Sequence, residues 1–221
     1  MEKRTALVFG STGLIGNLLV EELVRSGIYG KIKTFVRQST GVTEPLVEEI
    51  IDDFSDTNSL SSKIAGDDVY ICLGTTIKKA GSVANMEKID RDLPVSLAET
   101  ACKRGTKRIA VVSSIGASPE SGNYYLRIKG EMEAGILKLG FENTAIVRPS
   151  LLLGERKDSR AAELVGKVLM KTVSPLMLGK LKRYRAIHGR DVARAMISIL
   201  QKNSTKKIYE SDELQSLSEQ L

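Results

Sequence analysis

The sequence predicts an α/β fold, a doubly wound parallel sheet with a small C-terminal region covering a substrate. Three observations lead there. Short apolar runs alternate with stretches of helical periodicity over the first 150 residues, the order that builds βαβ units. The first run, Ala6-Leu7-Val8-Phe9, ends in Gly10-Ser11-Thr12-Gly13-Leu14-Ile15-Gly16, a glycine-punctuated turn that passes straight into a helical pattern. A later run, Arg108-Ile109-Ala110-Val111-Val112, is almost wholly apolar, as suits a strand covered on both faces.

The 221 residues suffice for one domain spanning 1–221, in which 150–190 contribute a small substrate lobe. A hydrophobic fraction of 42% and a charged fraction of 27% are ordinary for a globular chain. No apolar run approaches the roughly 18 residues of a membrane span, so no membrane partner is expected. The first strand begins within a few residues of Met1, which leaves no room for a signal peptide and predicts a cytoplasmic protein. The net charge of +6 is spread along the chain, and its densest patch, Lys180-Leu181-Lys182-Arg183-Tyr184-Arg185, is short. Phosphate-bearing cofactors or anionic substrates explain that basicity as well as nucleic acid does, and nucleic acid is disfavoured as a partner. Cys72 and Cys102 have no metal-ligand spacing, so free buried thiols and no metal are expected.

Element by element, residues 5–9 read as a strand, and Leu14, Ile15, Leu18, Leu19 and Leu23 recur at helical spacing until Ser26-Gly27. A strand that ends in G-x-x-G-x-x-G and becomes a helix lets backbone N–H groups approach a pyrophosphate, with the positive end of the helix dipole behind them. Residues 32–36 form the second strand, and Arg37 follows it about twenty residues past the last glycine, where a dinucleotide fold inspects the adenosine ribose. An acid there would bond the 2′-hydroxyl of NAD. A guanidinium pairs with a 2′-phosphate, so Arg37 points to NADP(H) over NAD. Residues 47–51 form a strand ended by Asp52-Asp53-Phe54; Asp53 and Phe54 either bound an adenine pocket or make a turn with a helix cap. Residues 68–73 form the next strand, ending at Leu73 and closed by Gly74-Thr75-Thr76, whose glycine would let the backbone pass under the ribose and phosphates.

Residues 84–104 read as one helix with Ile89, Leu93, Leu97 and Ala101 on a face, terminated by Gly105. The strand at 108–112 ends in Ser113-Ser114, at the strand end that carries chemistry in open α/β sheets. A helix then opens at Tyr124-Tyr125-Leu126-Arg127-Ile128-Lys129. Tyr125 and Lys129, four apart, share a face, whereas Tyr124 is turned away. A tyrosine near pKa 10 is a poor acid–base group at neutral pH, but an adjacent ammonium and an oxidised nicotinamide ring stabilise its phenolate. Ser114 is then placed to hold a substrate oxygen against Tyr125. Residues 144–147 form a strand turning at Arg148-Pro149-Ser150, a helix is expected at 161–171, and Asp191 is the expected cap of a closing helix. The lone His188 reads as structural, and the last ten residues as a short helix or a frayed end.

The series Gly10-x-x-Gly13-x-x-Gly16, Asp53-Phe54, Gly74-Thr75-Thr76, Ser113-Ser114, Tyr125-x-x-x-Lys129, Arg148-Pro149 and Asp191-Val192-Ala193 resembles the short-chain dehydrogenase/reductase superfamily. Within it, Cys72-Leu73-Gly74-Thr75-Thr76, Lys79-Ala80-Gly81 and Leu126 to Glu131 resemble the atypical, extended-type NAD(P)H-binding branch that includes the Tat-interacting oxidoreductase-like proteins. The resemblance implies a Rossmann-type domain that binds NADP(H) through Gly10 to Gly16, Arg37, Asp53, Phe54, Leu73 to Thr76, Lys129, Arg148 and Pro149. It implies Tyr125 as acid/base, Lys129 on the nicotinamide ribose and Ser114 orienting a small carbonyl or alcohol. Two departures stand out. Only ten residues separate Ser114 from Tyr125, which leaves Ser113 and Ser114 as alternatives, and Asp90 stands where many extended members carry asparagine. The enzymatic reading is an NADP(H)-dependent oxidoreductase; the alternative is an NADP(H)-loaded sensor that regulates a protein partner. A homodimer fits either.

Overall fold

The computed structural model describes residues 3–56, 60–153, 179–202 and 204–221. Its core is a seven-stranded parallel sheet in the order β3-β2-β1-β4-β5-β6-β9. The elements are β1 (Arg4–Phe9), α1 (Leu14–Ser26), β2 (Tyr29–Val36), β3 (Val47–Ile51) and β4 (Asp68–Ile71). After β4 come α2 (Ile77–Ala80), α3 (Val83–Glu87), a π turn (Lys88–Asp92) and α4 (Leu93–Lys103). Then follow β5 (Arg108–Val112), α5 (Tyr124–Leu137), β6 (Asn143–Arg148) and β7 (Leu152–Leu153). A 3-10 turn (Gly179–Tyr184) precedes β8 (Ile187–His188), α6 (Gly189–Leu200), β9 (Ile208–Glu210) and α7 (Ser211–Ser218).

The strand order turns at β1, which has β2 on one side and β4 on the other. In such sheets a ligand crevice opens at the carboxyl ends of those central strands. β1 is buried on both faces, and its alternation divides the core. Ala6 and Val8 pack with Leu19 and Leu23 of α1 and Val192, Ala193 and Met196 of α6. Leu7 and Phe9 pack with Leu97 and Ala101 of α4 and Met132 and Ile136 of α5. Each such side chain contributes about 1.5–3 kcal/mol on burial. α1 stops at Gly27, whose φ of 65° is the left-handed C-cap conformation.

The closing helix α6 is capped at His188 without a side-chain bond, and Asp191 lies inside its first turn, where its charge still complements the helix dipole. The expected cap is therefore corrected by three positions. The polar C-terminus forms more than a helix. β9 extends the sheet by pairing with β6, Ile146 against Ile208 through Arg148 against Glu210, and Glu210 and Glu213 make a capping box for α7. The stretch 84–104 is not one regular helix either: the π turn interrupts it and places Asp90 in the core. The helix expected at 161–171 lies outside the described residues. Of the expected lobe, the described part has β7 paired with β8, Leu152 against Ile187, and Ser150 bonded to the Arg185 carbonyl and to Ser211. Among the described residues no helix is long and apolar enough to cross a membrane, and no cluster of three metal-ligating side chains occurs.

Candidate dinucleotide-binding and active site

Because all seven strands run parallel, the turns after β1, β2, β3, β4, β5 and β6 meet along one edge of the sheet. The β1 turn shows why its glycines differ. Gly10 has φ of 84°, and a Cβ there would lie 2.6 Å from the Cys72 carbonyl oxygen. Its neighbour Cys72 donates its N–H to Phe9 O at 2.8 Å. A Cβ on Gly16 would meet Gly10 O at 2.1 Å, whereas one on Gly13 meets only that oxygen, at 3.4 Å. The fold therefore demands glycine at 10 and 16. At 13 it does not, and the remaining reason for a missing Cβ is the space in front of the helix.

That space suits an anion. α1 has no side-chain cap and no acid in its first turn, so the N–H groups opening the helix at Leu14 and Ile15 have no intrahelical acceptor. Thr12 and Gly13 are exposed, Leu14 half-buried and Ile15 buried. Ser11 is buried and its Oγ finds no partner among the described residues, an orphaned hydroxyl that a phosphate oxygen would satisfy. These residues fit a dinucleotide pyrophosphate.

Arg37 directly follows β2, exposed, and no hydrogen bond or ion pair holds its guanidinium among the described residues. The next loop is pinned by Glu49, which accepts from Ser39 Oγ at 2.8 Å and from Thr40. Those bonds, the Thr40 hydroxyl first, hold the Glu49 carboxyl below its usual pKa range. After β3, Asp52 and Asp53 accept the N–H groups of Phe54 and Ser55, each at 2.8 Å. Phe54 is the one non-glycine described residue at positive φ, 62°, and its ring meets Phe9 edge-on at 6.5 Å. Strain of this kind, about 1–3 kcal/mol, concentrates at ligand sites. Asp52 and Asp53 each close a turn with their side chains.

After β4, Thr75 donates its N–H to Asp90 Oδ2 at 2.9 Å, and Thr76 caps α2 by accepting from Lys79 N. Lys129 lies under this turn, 2% exposed. Its Nζ is 2.9 Å from Asp90 Oδ1 and donates to Leu73 O at 3.4 Å. A Cβ on Gly74 would lie 3.4 Å from Asp90 Oδ1. Burial pushes the neighbouring Cys72 thiol up to about 12, with the Lys129 charge pulling the other way. One turn before Lys129, Tyr125 presents its ring outward, 36% exposed. Tyr124 instead sits beneath the Arg127 guanidinium, 5.1 Å from its ring centre.

The two serines after β5 part company. Ser113 is buried and donates its hydroxyl to Glu133, whereas Ser114 Oγ has only a 3.5 Å approach to Ile115 O. Arg148 belongs with Ser113. Its Nε and Nη2 grip Glu133 at 2.9 and 2.5 Å, Nη1 reaches Glu210 at 3.3 Å and Nη2 also reaches Ala117 O at 2.9 Å. These carboxylates, Glu133 foremost, raise the Arg148 pKa further. The Arg148 guanidinium is thus held between Glu133, Glu210 and the Ala117 carbonyl. Pro149 is buried and its carbonyl accepts Ile115 N–H at 3.2 Å. The short Ser114-to-Tyr125 connection lies directly on α5, where a Cβ on Gly130 would come within 2.2 Å of Ser118 C. Glu133 carried no signal in the sequence beyond lying one turn after Lys129.

The model of a family described as NAD(P)H-binding matches residues 10–203. The chain is 33% identical over 224 residues to "Protein FMP52, mitochondrial" of Eremothecium gossypii, covering 97% of each chain. It is 32% identical over 167 residues to "Protein HTATIP2" of Rattus norvegicus, covering 74% of this chain and 69% of that one. Its fold superposes on MoeE5, solved in complex with UDP-glucose and NAD, with a TM-score of 0.69 at 17% identity, over 98% of this chain and 81% of that one. The mitochondrial naming of the FMP52 relatives overturns the cytoplasmic expectation. The fold, the glycine turn and these relatives together make the chain a member of the NAD(P)H-binding family, in the atypical short-chain dehydrogenase/reductase branch alongside FMP52 and HTATIP2.

Proposed function

We propose that this protein is an NADP(H)-dependent oxidoreductase acting on a small carbonyl or alcohol, with Tyr125 exchanging the proton. The observation that carries it is one sheet edge bearing both an anion cradle (Ser11, Gly13 and the start of α1) and the Tyr125/Lys129 face of α5. A bound nicotinamide supplies hydride transfer. This chain's residues do the rest. Gly10 to Gly16 hold the pyrophosphate, with the N–H groups at Leu14 and Ile15 facing it. Arg37 meets the 2′-phosphate, Asp53 and Phe54 border the adenine, and Leu73 to Thr76 lie under the ribose. Lys129 holds the nicotinamide ribose from below, and Pro149 bounds the site by its backbone. Ser114, whose hydroxyl is not committed to the core, orients the substrate oxygen toward Tyr125. The segment from 150 to 190 is kept in this reading as the substrate lobe, and the mitochondrial naming of the FMP52 relatives supports a mitochondrial setting.

The sensor reading has one observation in its favour: the Tyr125 ring is 36% exposed and no hydrogen bond ties its hydroxyl to Lys129 among the described residues. NADPH oxidation across a carbonyl panel separates the two, since a sensor binds the dinucleotide and turns over nothing.

A further inference from the structure

We infer that the carbonyl or alcohol taken by the proposed site carries a hydrocarbon chain or ring, which an apolar rim on both sides of Ser114 and Tyr125 receives. This rests on the proposed oxidoreductase reading and deepens it by naming the substrate class. Single exposed apolar side chains need no explanation on a protein surface, but their placement here does. Among the described residues nine large hydrophobic side chains are exposed, and six of them, Ile77, Val83, Tyr125, Leu151, Leu181 and Tyr184, lie on the connections that follow β4, β5 and β6. Of the others, Val42 and Ile51 lie by the edge strand β3 and Leu221 ends the chain.

The strand order sets these connections side by side. β4, β5 and β6 are parallel neighbours in the sheet, so Ser114, which follows β5, stands between the turn after β4 and the turn after β6. On the β4 side Ile77 opens α2 and Val83 opens α3. Asn85 Nδ2 donates to Ala80 O at 3.0 Å and folds these two short helices together. Arg91 ties the segment to α5, its Nη1 lying 3.7 Å from Glu87 and 2.8 Å from Glu131. On the β6 side the Leu151 carbonyl accepts the Ile187 N–H at 3.0 Å, and the Ser150 hydroxyl bonds the Arg185 carbonyl. Leu151 and the turn bearing Leu181 and Tyr184 are thereby held together.

Tyr125, the proposed acid/base, is itself one of the six, so a ligand on this rim lies against the reacting group. Small-molecule sites combine apolar walls with a few polar groups that fix orientation, and Ser114 and Tyr125 are those groups here. A hydrocarbon gains free energy for each methylene it sets against such walls. A sugar or a nucleotide would set hydroxyls there, each at a cost unless a hydrogen bond replaces water.

Straight-chain 1-alkanols from butanol to octanol, titrated by calorimetry into the protein with and without NADPH, read the rim without turnover, because an alcohol finds no hydride acceptor in either. Kd should fall about three- to fourfold for each added methylene, and erythritol, a four-carbon polyol, should not bind at the same concentrations. Leu151→Ser and Leu181→Ser, both at exposed positions, should keep the thermal midpoint and reduce the dependence to about twofold or less per methylene. A Kd independent of chain length overturns the inference, as does an unchanged dependence in both variants. A sedimentation coefficient that changes in Leu151→Ser beside a flat alkanol series also overturns it, since the rim then belongs to a contact between copies of the chain. An alkanol series that behaves as expected in a protein that reduces none of the matching aldehydes refutes the oxidoreductase reading and leaves the apolar ligand site standing.

Discussion

The hydroxyl of Ser113 donates to the buried carboxylate of Glu133, and this bond divides the work of two adjacent serines. Ser113→Ala should lower stability by about 1–3 kcal/mol, the cost of a buried bond to a charged acceptor, with little effect on kcat. Ser114→Ala should leave the thermal midpoint in place and lower kcat. The reverse pattern in thermal melts and steady-state kinetics would reassign the substrate contact to Ser113.

The glycines of the first turn should fail in different ways. Gly16→Ala drives a methyl to 2.1 Å from a backbone oxygen, which the turn cannot relieve, so a loss above about 4 kcal/mol or outright misfolding is expected. Gly13→Ala meets nothing closer than 3.4 Å. Its stability should change by less than about 1 kcal/mol while NADPH affinity falls. Urea unfolding beside NADPH titration distinguishes these outcomes, and a destabilised but binding-competent Gly13→Ala would contradict them.

Arg37 carries the cofactor preference in this account. Arg37→Ala should weaken NADPH by about 10- to 100-fold, as expected for a charge-assisted bond, and leave NADH affinity near its wild-type value. Calorimetry showing equal wild-type affinity for the two dinucleotides would remove that role.

Alkaline pH should destabilise the fold in a defined window. Burial raises the Cys72 thiol from 9.0 to about 12, and burial together with Asp68 raises the Tyr29 phenol upward from 10.0. Both groups are neutral in the folded chain, while the unfolded chain ionises them first. Their contribution is thus complete below about pH 9 and is lost as pH rises from there through the folded values. The thermal midpoint should fall above pH 9, less steeply in Cys72→Ala, and native Cys72 should resist iodoacetamide at pH 8. Cys72 is half-buried, and its rapid native alkylation at pH 8 would contradict the raised thiol pKa.

What could be read in the residues was local. Gly10 and Gly16 are dictated by a turn a few residues long, and the central strands β1, β4 and β5 announce themselves by nearly unbroken apolar runs. Long-range partners were not legible. Arg148 looked free for a ligand because Glu133 and Glu210 are 15 and 62 residues away. β9 has three residues, too few for alternation, and exists through its pairing with β6. Asp90 is a polar residue in a helical pattern, and its contacts with the Thr75 N–H and Lys129 are made across the fold. Arg37 and Tyr125 were picked out by spacing from neighbouring motifs, and the fold puts both beside the sheet edge where the glycine turn lies.

The central claim is that Tyr125 moves a proton during dinucleotide-dependent redox chemistry, and NADPH oxidation over a carbonyl panel, with wild type and Tyr125→Phe compared at matched calorimetric affinity, tests it most directly. The account predicts turnover of at least one carbonyl by the wild type, and its loss in Tyr125→Phe with NADPH affinity nearly unchanged. Full turnover by Tyr125→Phe, or a wild type that binds NADPH and reduces nothing, would contradict it.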